Sequence, residues 1–227
     1  MFVSLYVVQH DHASLALAQQ IERGGQATPE FIRLARIAKW RRERVGQRVG
    51  IAHLAAQVDH VFSCLPSPII SEKVLVQILE GLKPGGTWIE NSTNGRDEMK
   101  RLAAMAEAKG IKVLEAPVTG GVHLAARGEI TVLAGGDKEL FELHRAALEA
   151  IGNKIFHMGP IGSAAVIKVI TNMLAFIHLV ADAEALMLAK RGGLDLAQAW
   201  HAITASSGSS FVHETEGQLI LNGSYDI

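Results

Sequence analysis

The chain has 227 residues, of which 48% are hydrophobic and 20% charged. That is a globular composition, with length for one or two domains and a sizeable core. Lys and Arg number 22 against 23 Asp and Glu, a net charge of −1, which argues against a dedicated nucleic-acid binder. The single cysteine, Cys64, excludes an intramolecular disulfide framework and fits a reducing, cytoplasmic setting. No membrane partner is expected: the most apolar run, Val169 to Ala181, falls short of the roughly 20 apolar residues of a span and contains Asn172 and His178. The apolar start, Met1 to Val8, has no basic region before it, so no signal peptide is expected.

In chain order, Phe2 to Val8 is rich in Val, Tyr and Phe and predicts a strand. A helical pattern from Ala13 to Arg23 is closed by Gly24 and Gly25. From Phe31 to Arg48, basic residues such as Arg33, Lys39, Arg42 and Arg48 face a single acid, Glu43, the pattern of a solvated helix face. Val58 to Leu65 predicts a buried strand stopped by Pro66 and Pro68. Ser71 to Leu82 predicts a helix capped by Ser71, with Val74, Ile78 and Leu82 on one face. A strand, Thr87 to Glu90, a helix, Asn94 to Lys109, and a strand, Ile111 to Leu114, follow across Gly and Pro turns. Strands Ile130 to Ala134 and Lys154 to His157 flank a helix, Asp137 to Ala150. This alternation predicts an α/β fold, a Rossmann-like parallel sheet wrapped by helices. Then the pattern changes. Ser163 to Arg191 reads as one helix, roughly 43 Å long at 1.5 Å per residue, ended by Gly192 and Gly193. Shorter helices follow at Leu196 to Ala205 and Ser210 to Leu221. The expected division is an α/β domain over residues 1–160 and an all-helical domain over 161–227.

Three stretches carry chemistry. In Val61-Phe62-Ser63-Cys64-Leu65-Pro66-Ser67-Pro68 the prolines end a strand and expose backbone at the carboxyl edge of the sheet, where doubly wound folds bind ligands. The alternative is a simple strand terminus. In Glu115-Ala116-Pro117-Val118-Thr119-Gly120-Gly121 two glycines free backbone N–H groups to face an anion, and a hydroxyl adds a donor. A carboxylate is the natural guest; the alternative is a tight turn. In the third stretch, Gly159-Pro160-Ile161-Gly162 precedes Lys168 and Asn172, one helical turn apart among apolar neighbours. A lysine so placed is desolvated and pushed toward useful acid–base range; the alternative is a lysine reaching the surface.

Taken together, strand-Cys-Leu-Pro, Glu-Asn-Ser-Thr (Glu90 to Thr93), Ala-Pro-Val-Thr-Gly-Gly, and Gly-x-x-Gly before Lys-x-x-x-Asn resemble the β-hydroxyacid dehydrogenase family. Ser206-Ser207-Gly208 resembles a further loop of that family, and the resemblance runs from about Gln57 to Ile227. It implies hydride transfer between NAD or NADP and a short 3-hydroxy acid or its semialdehyde. Lys168 matches the family's catalytic lysine and Asn172 the asparagine that helps hold the substrate. Thr119, Gly120 and Gly121 match the loop for the substrate carboxylate. The cofactor is assigned to Leu65, Pro66, Ser92 and Thr93, with Asp11 at the adenosine ribose. The implied partners are a small hydroxy acid and further copies of the chain, with no metal.

The sequence departs from the family pattern in places. Thr119 replaces serine, Thr171 asparagine and Ala164 glycine. No Gly-x-Gly-x-x-Gly loop precedes Val61, so the phosphate loop and the family's later helices are expected to be missing. Weak dinucleotide binding is then expected. Tyr6 to Asp11 reads as the family's second strand, with a degraded first strand as the alternative. An inactive relative or assembly module, and an imine reductase, are the rival functions; Lys168 argues against the imine reductase.

Overall fold

A computed structural model describes residues 4–8 and 50–224. Asp11, the helical pattern from Ala13 to Arg23 and the basic run from Phe31 to Arg48 lie outside the described residues. The chain divides into two compact units, 1–169 and 170–227.

In the first unit, β1 (Ser4–Val8), β2 (His60–Cys64), β3 (Thr87–Glu90) and β4 (Lys112–Glu115) lie side by side and parallel. Helices α1 (Ile51–Ala55), α2 (Pro68–Gly81) and α3 (Arg96–Glu107) separate them in sequence. Strand side chains alternate between the faces of the sheet. Val61, Trp88 and Val113 pack with Leu75, Ile78, Met99 and Leu102 in one buried core. Their immediate neighbours Phe62, Ile89 and Leu114 join a second, with Phe141 and Leu148. β2, β3 and β4 are thus covered on both faces, as a doubly wound sheet requires.

Several elements differ from expectation. The sheet is mixed, not wholly parallel: β6 (Ile130–Gly136) runs antiparallel to β4 and to β5 (Val118–Thr119). One register joins Leu114 to Gly136 and Thr119 to Thr131, and Pro117 O accepts from Leu133 N in between. β4 and β5 are therefore one extended run folding back on β6, with only the short α4 (Gly121–Arg127) between. A connection that folds straight back gives antiparallel pairing; parallel return needs a longer crossover. β7 (Gly152–His157) pairs parallel to β6 across α5 (Lys138–Glu149).

Ser71 is not the cap of α2. Ser67 is, its Oγ accepting from Ile70 N, and Pro68 takes the first turn, where its missing N–H costs nothing. Ser71 is instead wholly buried. β1 pairs directly with β2. In the usual doubly wound order that place belongs to a first strand, and a second strand lies one position further out.

The helix α6 (Ser163–Arg191) begins in the first unit and continues into the second. By length and composition it could cross a membrane, yet it carries buried Lys168 and Asp182. The second unit adds α7 (Leu196–Thr204) and α8 (Phe211–Leu221). Its centre is polar: His213 Nδ1 bonds Asp182 Oδ1, His213 Nε2 meets Trp200 O at 3.1 Å, and Trp200 Nε1 donates to His213 O at 3.0 Å. The Trp200 and His213 rings stack at 5.4 Å.

Candidate functional site

The carboxyl ends of β2, β3 and β4 form one edge. There Ser63, Glu90 and Glu115 stand in register on adjacent strands, and all three are buried. Two carboxylates side by side in a dry sheet edge need separate donors. Glu90 takes the Ser63 hydroxyl at 2.5 Å and the Ser92 N–H at 2.8 Å. Trp88 Nε1 donates to Ser63 Oγ at 2.8 Å behind it. Burial outweighs these bonds and pushes the Glu90 pKa up to about 7. Glu115 takes backbone N–H groups at the start of α6, and burial likewise raises its pKa.

The backbone of this edge is fixed by the same residues. Leu65 N donates to Ser92 Oγ at 2.7 Å, tying the end of β2 to the end of β3. Asn91 Nδ2 donates to Ala116 O at 2.7 Å, tying β3 to the β4–β5 run. Leu65 and Ser92 are buried, whereas Pro66 and Thr93 are exposed.

Lys168 lies on the second turn of α6 and is only 8% exposed. Desolvation lowers its pKa, and the electrostatic interaction with nearby Cys64 acts in the opposite sense. Cys64 ends β2, so the amine belongs to this same sheet edge. At the far end of the β4–β5 run, Gly120 and Gly121 both hold positive φ, +126° and +77°. Only glycine adopts such a pair without strain. Thr119 and Gly120 are half-buried and Gly121 exposed. Asn172 is half-buried one turn beyond Lys168, on the part of α6 that belongs to the second unit. Among the described residues no cluster could hold a metal ion.

Glu90 and Glu115 stand within the sequence motifs, where residue type alone assigns them no role. The available signal was an acid closing an apolar strand. Asn94, a buried side chain neither of whose polar atoms finds a partner, and Asn91 Oδ1, orphaned likewise, carry no such signal in the sequence.

Comparison with known proteins decides what this arrangement belongs to. Residues 16–159 match the family model described as the NAD binding domain of 6-phosphogluconate dehydrogenase. Residues 162–227 match that described as NAD-binding of NADP-dependent 3-hydroxyisobutyrate dehydrogenase. The chain belongs to the β-hydroxyacid dehydrogenase family. An L-threonate dehydrogenase of Escherichia coli is 31% identical over 78% of the chain and 61% of its own length. The chain spans about half to three-fifths of the curated relatives it matches. The solved 3-hydroxyisobutyrate dehydrogenase of Salmonella typhimurium superposes with TM-score 0.80 at 25% identity, over 98% of this chain and 80% of that one. That of Mycobacterium tuberculosis, recorded with L-serine, gives 0.76 at 26% identity over 95% and 74%.

The residues fit the cofactor class that those family models name. The unpaired amide atoms of Asn91 and Asn94 follow the β3 end where Ser92 and Thr93 sit. They suit a ligand with amide and hydroxyl groups of its own.

Proposed function

We propose that the protein is an oxidoreductase acting on a short 3-hydroxy acid or its semialdehyde with NAD or NADP. The observation that carries this is Lys168, a desolvated amine one helical turn into α6, near Cys64 at the end of β2. A buried amine with a lowered pKa can take a hydroxyl proton when neutral and return it when charged. During oxidation the Lys168 Nζ accepts the proton of the substrate hydroxyl as the carbon loses hydride. During reduction it delivers that proton to the carbonyl oxygen. The bound nicotinamide supplies the hydride chemistry. Leu65, Pro66, Ser92 and Thr93 hold the cofactor; β1 occupies the place of a first strand, so Asp11 after it is not the acid that closes a second strand at the ribose. Thr119, Gly120 and Gly121 take the substrate carboxylate, and Asn172 helps hold the substrate.

The relatives support a short hydroxy carboxylate: their names cover threonate and 3-hydroxyisobutyrate. The proposal includes a cytoplasmic setting and a homo-oligomer. For the latter, Phe176, Ile177, Val180 and Leu188 on α6 are each more than half exposed, an apolar surface of the kind subunit contacts cover. The deciding experiment titrates NADH and NADPH against the protein and assays turnover of wild type and Lys168→Ala. Cofactor binding with a rate loss of about 10²- to 10⁴-fold in the variant is expected. Undiminished turnover without Lys168 overturns the reading.

A further inference from the structure

We propose that Glu115 is a positioning residue: its carboxylate locks the first turn of α6, and with it Lys168, onto the strand that ends in the Thr119–Gly121 loop. This deepens, and rests on, the proposed role of Lys168.

The first N–H groups of a helix have no acceptor within it, and a cap is normally a neighbour in sequence. For α6 the acceptor comes from a distant strand. Glu115 Oε1 accepts from Gly162 N at 2.6 Å and Ala164 N at 3.0 Å, and Oε2 from Ala165 N at 3.1 Å. A negative charge at the positive end of the helix strengthens each bond. The joint is dry: Glu115 is 1% exposed, Ala164 0% and Ala165 2%. The backbone is shaped for it. A Cβ at Gly135, opposite Glu115 in the sheet, would collide with the carboxyl group. Gly162 turns the chain into α6 with φ +96°.

The joint connects the two chemical elements. Lys168 follows Ala164 and Ala165 by one turn, on the same side of the helix. In the other direction, Glu115 and Thr119 lie on one extended run with unbroken register against β6. One carboxylate thus fixes how far the amine stands from the anion loop. Glu90 cannot substitute, because its oxygens are taken by Ser63 and Ser92. Proton transfer depends on sub-ångström placement of the amine, so Glu115 acts on the rate without touching substrate.

The test is Glu115→Gln, which preserves volume but sets an NH₂ against a helix N–H. The expected result is a kcat lowered about 10- to 100-fold, with NADH affinity and hydroxy-acid KM within about threefold of wild type. Amide exchange at Gly162, Ala164 and Ala165 should accelerate. A merely structural carboxylate would lower the melting temperature and leave kcat of the folded protein alone. A kcat within about twofold of wild type overturns the proposal. Exchange in the wild-type protein tests the joint with no variant at all. Protection of these three amides is expected, and exchange as fast as for an uncapped first turn refutes it. If wild type moves no hydride while these amides are protected, the functional reading has failed and the positioning role falls with it. If wild type turns over and the variant matches it, only the positioning role has failed.

Discussion

Glu90 offers a measurement of how much charge this fold holds in a dry place. It is 0% exposed, and the groups that reach it, Ser63 and Ser92, are neutral. Its pKa stands at about 7 where an unburied glutamate has 4.5. The folded protein therefore binds this proton more tightly than the unfolded chain. The resulting stability is complete below 4.5 and is lost as pH rises through 7. A displacement of that size is worth about 3 kcal/mol. Glu90→Gln mimics the protonated acid, since its carbonyl still accepts from Ser92 N and its NH₂ can face Ser63 Oγ. Urea unfolding of both proteins at about pH 5 and about pH 8.5 is the assay. The variant should match wild type within about 1 kcal/mol at the lower pH and exceed it by about 3 kcal/mol at the higher. The comparison must be a difference between proteins. Burial holds His144 down to about 4, and that imidazole works in the opposite sense, losing stability as pH falls. In wild type alone the two trends offset each other; in the difference His144 cancels. A difference that stays constant from the lower to the higher pH would refute the reasoning.

The oxidation rate should rise with pH through the lowered pKa of Lys168, because only the neutral amine accepts a proton, and the reduction rate should fall over the same range. Parallel pH profiles in the two directions would contradict this. A short 3-hydroxy acid should be turned over and its methyl ester or amide should not, given the paired positive-φ glycines at the loop; equal rates dispose of the anion role. In the second unit, His213→Ala leaves the Asp182 carboxylate buried without its partner and should cost about 3 kcal/mol in thermal or denaturant unfolding. An unchanged midpoint would show that the pair contributes nothing.

The strands and helices that repeat an apolar period were legible in the sequence: β3 at Thr87–Glu90 and α6 at Ser163–Arg191 fall where the pattern put them. What was not legible came from pairings distant in sequence. The reversal of β6 depends on Gly135 and Gly136 meeting Glu115 and Leu114, a match that no local period encodes. Val118–Thr119 is too short to announce itself as a strand, and its identity follows from continuing the register of β4. At α2 the error was local. Pro68 stops a strand, and after Ser67 it is also a favoured first helical residue.

The candidate site divides along the same line. Lys168, the two glycines and the strand ends are proposed from the sequence because residue type alone raises them: an amine among apolar neighbours, paired glycines, prolines after a strand. The parts that hold them in place were not, because a carboxylate reads the same whether it is solvated or wedged under a helix. Glu115 meets its three donors only after the chain has returned across β6, α5 and β7. Glu90 meets Ser63 only because β2 and β3 are adjacent and in register. On the proposed function, residue type points to the group that does the chemistry, and topology to the group that aims it. On this molecule the second kind sits on the last residue of β3 and of β4, one strand apart. Each acid spends its charge on a different neighbour. Glu90 braces the strand ends assigned to the cofactor, and Glu115 braces the helix assigned to the proton. If the proposed roles hold, exchanging Glu90 for a residue that cannot accept disturbs cofactor binding, and exchanging Glu115 disturbs proton transfer.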